Sequence, residues 1–186
     1  MTTTITQSIS SKPNARFGRM FLMLISSLMF AMLIGGLYFA TSYEKGDGLS
    51  TYEREAISVV AMQNEITDGW NSTVDLFNSS SIYSDSDHVV VYSASQTSAR
   101  QLITDSQAVI NRWQAIDVPA EHVASHQLGL DALMATQDGL ILFDVFFQNS
   151  LDTLVADQIR SEEASAKLAY ARELWEEAAA VAATEG

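Results

Sequence analysis

The sequence of 186 residues contains no cysteine. Without thiols there is no disulfide framework, thiolate metal site, cysteine nucleophile or covalent c-type haem. Basic side chains are scarce: 10 Lys and Arg stand against 23 Asp and Glu, for a formal net charge of −13. Such a balance lacks the basic footprint of a nucleic-acid binder, so no nucleic-acid partner is expected. Only 2 prolines occur and 47% of the residues are hydrophobic, which argues against a disordered chain. The length allows about one ordinary domain.

Charge is divided along the chain. Residues 1–19 carry Lys12, Arg16 and Arg19 and no acid, a block of +3. All 23 acids follow residue 43, together with the other 7 basic groups. Between the blocks lies an uncharged run of 24 residues, 20–43. A bilayer core of about 30 Å takes roughly 20 apolar residues in a helix, so this run is expected to span a membrane. A cleaved signal peptide has an apolar region of about 7–15 residues and a small-x-small cleavage site. The run here is longer, and Tyr38 would occupy the −3 position of a cleavage after Ala40. A retained signal anchor is therefore expected. The basic flank places the N-terminus in the cytoplasm and the acidic part outside, periplasmic or extracellular. Tyr38 and Tyr43 then fall at the outer interface.

The span has a small-residue face. Ser27, Ala31 and Gly35 recur every four residues, and Gly36 and Ala40 make a second pair. Small residues at this spacing let another helix approach closely, so they are read as a packing face for a partner span.

Beyond the linker 44–50, residues 51–186 read as four amphipathic helices. Ser50 and Glu53 form a capping box before a stripe of period three to four, from Tyr52 through Met62 and Trp70 to Phe77. Ser84–Asp87 starts a second helix, whose stripe ends with Trp113 and Ile116, ahead of Pro119. The β-branched run at 88–92 admits a short strand, but the helical pattern after it favours a helix start. A third helix is expected from Pro119, with Val123, His126, Leu130, Leu133, Gln137, Leu140, Phe143, Phe147, Leu151 and Leu154 on its stripe. The turn into the fourth helix is placed near 156–161, with Asn149–Ser150 as the alternative. Ala164, Leu168, Ala171, Trp175, Ala178 and Ala182 form the last stripe, with an i,i+4 pair of Glu163 and Lys167. The fold class expected is all-α: one N-terminal transmembrane helix, then an extracytoplasmic antiparallel four-helix bundle. Its core is expected to contain Trp70, Trp113, Trp175, Phe77, Leu130, Leu133 and Phe147.

Chemistry-bearing motifs are thin. His122 and His126 share a helix face and are weak candidates for metal ligands. The order Glu-His-x-x-x-His is not the metalloprotease motif, in which Glu directly follows the first His. A bound haem would take His126 with Met62 or Met134 as axial ligands, a picture that any bundle with a few Met and His allows. No cofactor and no catalytic residue is expected. Gln137 and Asp144 lie on or beside the third stripe, as satisfied polar groups or as part of a pocket. Asn71 and Asn78 each begin a glycosylation sequon.

A basic tail, one span and an outer helical bundle resemble the receptor half of a bacterial chemoreceptor or sensor kinase. The resemblance is architectural and no family motif carries it. It departs from that pattern by lacking a second span and a cytoplasmic signalling module. The expected function is a non-catalytic accessory subunit of a larger membrane complex. Its partners would be the lipid bilayer and other integral membrane subunits, or further copies of itself. The alternatives are a membrane-tethered ligand-binding module and a cofactor-binding electron carrier.

Overall fold

The computed structural model describes residues 50–185. The basic tail with Lys12, Arg16 and Arg19, the uncharged run 20–43 and its small-residue face lie outside the described residues. Four α-helices account for most of the rest: α1 Thr51–Ser79, α2 Asp85–Gln114, α3 Val123–Thr153 and α4 Gln158–Glu185. A 3-10 turn, Ala120–His122, precedes α3. There is no strand among the described residues.

The helix starts are local chemistry. A helix leaves its first N–H groups without intrahelical partners, and a capping side chain supplies them. At α1 the Glu53 N–H donates to Ser50 Oγ (3.1 Å) while the Ser50 N–H donates to Glu53 Oε2 (2.6 Å). Ser84 and Asp87 repeat the exchange at α2, at 3.2 and 3.1 Å. The Ser84 hydroxyl, with the Tyr83 and Ser84 N–H groups, holds the Asp87 carboxyl below the usual carboxylate range. This cap carries the β-branched run Val89–Val91 into the helix rather than a strand. Pro119 starts the 3-10 turn, and α3 proper begins four residues later.

Asn149 and Ser150 stay inside α3, which excludes the earlier of the two expected turns. The break comes at residues 154–157. Leu154 takes the left-handed conformation (φ 55°), and the Asp157 side chain accepts the Arg160 N–H at 3.3 Å to start α4.

Close backbone approaches run between consecutive helices: α1 with α2, α2 with α3, α3 with α4. Long-range contacts fix the two ends. Tyr52 stacks on His122 and Glu185 reaches Ser125, so the start of α1, the start of α3 and the end of α4 share one pole. His88 Nε2 meets the Ser150 carbonyl at 2.9 Å, which sets the start of α2 beside the end of α3 at the far pole. The order is therefore up-down-up-down.

Trp70, Trp113, Trp175, Phe77, Leu133 and Phe147 are buried. Trp70 meets Phe143 with ring centroids 4.4 Å apart, Phe77 meets Tyr92 at 4.9 Å, and Trp113 meets Trp175 edge-on at 5.9 Å. Burying a large apolar side chain of this kind contributes about 1.5–3 kcal/mol. Leu130 is only partly buried and packs against the core from its edge. The expected α3 stripe fails at both ends: Val123 is 55% exposed and Leu154 36% exposed. The buried face of α3 starts instead on Ser125, Gly129 and Ala132. Gly129 and Gly139 are among the glycines that mark close helix approaches. A Cβ on Gly129 would lie 2.6 Å from Trp113 Cζ2, and one on Gly139 2.6 Å from Leu168 Cδ2.

The expected Glu163–Lys167 pair does not form. Glu163 pairs with Arg160, and Lys167 Nζ reaches Asp138 on α3 at 3.2 Å. Both pairs are substantially solvent-exposed and worth at most about 1 kcal/mol each.

Candidate functional site

The two sequence-flagged histidines meet at the pole where α1 begins, but their rings serve different partners. His122 lies parallel to Tyr52, with centroids 4.8 Å apart. Its Nδ1 is 3.4 Å from Glu185 Oε2. His126 stacks on Trp113 at 4.6 Å, and its main-chain carbonyl accepts the Trp113 indole N–H at 2.9 Å. Burial pushes the His126 imidazole below its ordinary range, so it is neutral at pH 7. No group of three or more His, Asp or Glu is placed to hold a metal ion among the described residues.

Ser125 and Glu185 complete this pole. The Ser125 hydroxyl donates to Glu185 Oε2 at 2.6 Å, and the Ser125 N–H faces Oε1 at 3.4 Å. Ser, His and Glu are thus neighbours, but the serine proton points at a carboxylate. In a nucleophilic triad the hydroxyl faces an imidazole that can take its proton. The cluster is built as a helix cap and not as a nucleophile. Neither Ser125 nor Glu185 stood out in the sequence, because they are 60 residues apart and no short motif joins them.

The haem picture loses one of its ligands here. Met134 is half exposed on α3 and cannot face His126 across a core. Tyr92, deep in the aromatic cluster, is pushed up to about 12 by burial and stays neutral across the physiological range.

Polar groups on α2 and α3 satisfy one another along their shared seam. Arg100 Nε donates to Asp144 Oδ1 (2.8 Å), Gln96 Nε2 to Gln148 Oε1 (3.1 Å), and Gln137 Nε2 to Gln107 Oε1 (3.1 Å). Gln137 and Asp144 therefore have partners on α2. Helix α1 differs. Gln63 is buried, yet neither its Nε2 nor its Oε1 finds a partner among the described residues. The Trp70 indole N–H, two turns further on, and the Oδ1 atoms of Asn71 and Asn78 are in the same state. The first sequon thus lies within α1 and the second runs off its end at Ser80, and both Asn Oδ1 atoms are buried.

A groove of about 230 Å³ runs between Met62, Glu65 and Ile66 of α1 and Leu102, Asp105 and Val109 of α2. It is smaller than the roughly 300–1,000 Å³ of ordinary ligand pockets. No helix among the described residues is long and apolar enough to cross a membrane. No protein-family model, no curated protein and no solved structure matches the chain.

Proposed function

We propose that this protein is a non-catalytic, single-pass accessory subunit of a larger membrane protein complex. Residues 20–43 anchor it, and the bundle braces or caps the outer face of the complex. The observation that carries this reading is the division of charge: a basic block, an uncharged run of 24 residues, then an acidic remainder. A run of that length matches a bilayer core, and the basic flank sets the orientation. The small-residue face of Ser27, Ala31, Gly35, Gly36 and Ala40 supplies the lateral contact to a partner span. The bundle supports a bracing role through its aromatic core and its self-satisfied α2–α3 seam.

Purification of the full chain in mild detergent, followed by mass spectrometry, tests this reading. Stoichiometric integral membrane partners are expected, and they should be lost when Ala31 and Gly35 are both changed to Leu. Migration as a lone monomer or homodimer would overturn it. Protease treatment of sealed cells should digest the bundle and spare residues 1–19.

A membrane-tethered ligand-binding module is a second reading, favoured by the unpartnered Gln63 amide and Trp70 indole inside the bundle. Native mass spectrometry of the purified protein tests it. A retained small molecule, released by Gln63→Leu, is the expected result; a bare protein mass would reject it.

A further inference from the structure

Two imidazoles stand where all four helices meet, at the pole where α1 begins. Tyr52 of α1 packs against both, with ring centroids 4.8 Å from His122 and 5.9 Å from His126. From α2 comes the Trp113 ring, stacked on His126 at 4.6 Å and nearly parallel to it (7°). From α4 come Trp175, edge-on to Trp113, and Glu185. The titratable groups gathered around His126 are therefore the Tyr52 phenol of α1, His122 of its own chain segment and Glu185 of α4. Helix α2 contributes the uncharged indole.

The two imidazoles differ in what a second ring proton would meet. A neutral imidazole carries one N–H and its cation carries two. His122 Nδ1 lies 3.4 Å from Glu185 Oε2, so a proton there has a carboxylate to face. His126 Nδ1 is buried and has no hydrogen-bond partner among the described residues. While the ring is neutral, this nitrogen can be the bare one. Once the ring is charged, it is an N–H without an acceptor. Glu185 is committed elsewhere, since its carboxylate holds Ser125 and reaches His122. The indole face of Trp113 attracts a cation, but that attraction acts above the ring, whereas the N–H lies in the ring plane. An unmet donor on a buried cation costs more than the stack returns. Burial accordingly pushes the His126 imidazole below its ordinary range. His88, at the far pole, is the contrast. It stacks on Tyr92 at 4.0 Å, but its Nε2 donates to the Ser150 carbonyl, and a proton on the other nitrogen leaves that bond intact.

We propose that the His126–Trp113 stack is an acid-sensitive latch, which fastens the starts of α1 and α3 to the end of α2 and opens when the His126 ring takes up a proton. It is closed above the ordinary histidine range, about 6.5, and opens as pH falls below it. Tyr52 lies in the first turn of α1, so opening frees the end that leads back to the linker 44–50. Under the accessory-subunit reading that end faces the membrane, and the brace responds to acidity outside the cell. The latch itself does not depend on that reading.

Hydrogen exchange of the full chain in detergent, corrected for the intrinsic effect of pH, tests the latch at pH about 7.5 and about 5. Acid should lower protection at least tenfold in the early turns of α1 and α3. The early turns of α2, at the far pole, should keep theirs. In His126→Phe, which keeps a ring on Trp113 and takes no proton, the near pole should stay protected in acid. In His122→Gln the loss should persist. Circular dichroism checks that both variants are helical. If His126→Phe does not fold, nuclear magnetic resonance of the histidine rings in the wild type decides, because the His126 titration should coincide with the loss of protection. A near pole unchanged in acid overturns the proposal, as does a loss that His126→Phe retains or a His126 titration in a different pH window. Equal loss at both poles would be global unfolding and overturns it too. A loss that His122→Gln abolishes would assign the response to the Glu185 pair instead. Co-purification keeps the readings apart: if no membrane partner is recovered, the accessory reading fails, while hydrogen exchange still decides the latch.

Discussion

Glu185, at the end of α4, caps the start of α3 through Ser125. Its carboxylate takes the Ser125 hydroxyl at 2.6 Å and faces the Ser125 N–H at 3.4 Å. His122, the residue in the cap position of α3, makes no side-chain cap bond of its own. An anionic group at a helix N-terminus also meets the positive end of the helix dipole. The last turn of the described chain therefore closes the bundle by supplying what α3 lacks.

Glu185→Ala should lower stability by about 1–2 kcal/mol, the cost of a lost cap and a charge-assisted hydrogen bond. Chemical denaturation of the protein checks this. Ser125→Ala should produce much of the same loss, and the double variant less than the sum, because the two side chains form one unit. Full additivity would show that the cap does not couple them.

Gln63 predicts a gain. It is buried with both amide atoms unpartnered among the described residues, and an unmet buried polar group costs about 1–3 kcal/mol. Gln63→Met keeps the volume and removes the polarity, so the midpoint of thermal unfolding should rise. Gln63→Ala removes volume as well and should lower it. A fall with methionine would mean that the amide has a bound partner, which is the ligand-module reading.

Gly129→Ala should destabilise despite the better helix propensity of alanine. A Cβ there would be 2.6 Å from the Trp113 ring, which is stacked on His126 and boxed by Trp175. Overpacking of this kind costs about 1–3 kcal/mol, against the roughly 0.5–1 kcal/mol gained by replacing a helical glycine. A net loss of about 1 kcal/mol is expected, with a change in tryptophan fluorescence. An unchanged emission spectrum would contradict the close contact.

Stability should fall at both ends of the pH scale, for different side chains. Tyr92 is raised by burial to about 12 from 10.0, so the folded state keeps a proton that the unfolded state gives up. Its contribution is complete below pH 10 and is lost as pH rises towards 12, a change of about 3 kcal/mol by linkage. Tyr92→Phe should flatten this alkaline limb in pH-dependent denaturation. His126 is lowered by burial, so the folded state binds its proton less readily than the unfolded chain. Stability is full above the ordinary histidine range and declines as pH falls through it. His126→Phe should remove that part of the acid dependence.

Much of the secondary structure was legible because its causes are local. The boxes of Ser50 with Glu53 and Ser84 with Asp87 act across three residues, and the stripes of α1, α2 and α4 repeat within a turn. The stripe of α3 departs from its sequence pattern at Val123 and Leu154, because its middle is apolar on more than one side and blurs the period at its ends. Of the candidate site, the histidines were visible by type and spacing, but their environment was not. Tyr52, Trp113 and Glu185 reach them from other helices.

The division of charge along 186 residues, the uncharged run of 24 and the existence of four helices follow from the sequence alone. Composition, hydropathy and capping are properties of neighbouring residues and do not wait for a fold. The tertiary structure alone decided that Glu185 caps α3, that Gly129 admits the Trp113 ring, and that Lys167 turns from Glu163 to Asp138. Each of these contacts joins residues on different elements. Only the packing of whole helices brings such pairs together, and helical periodicity names a face without naming its neighbour.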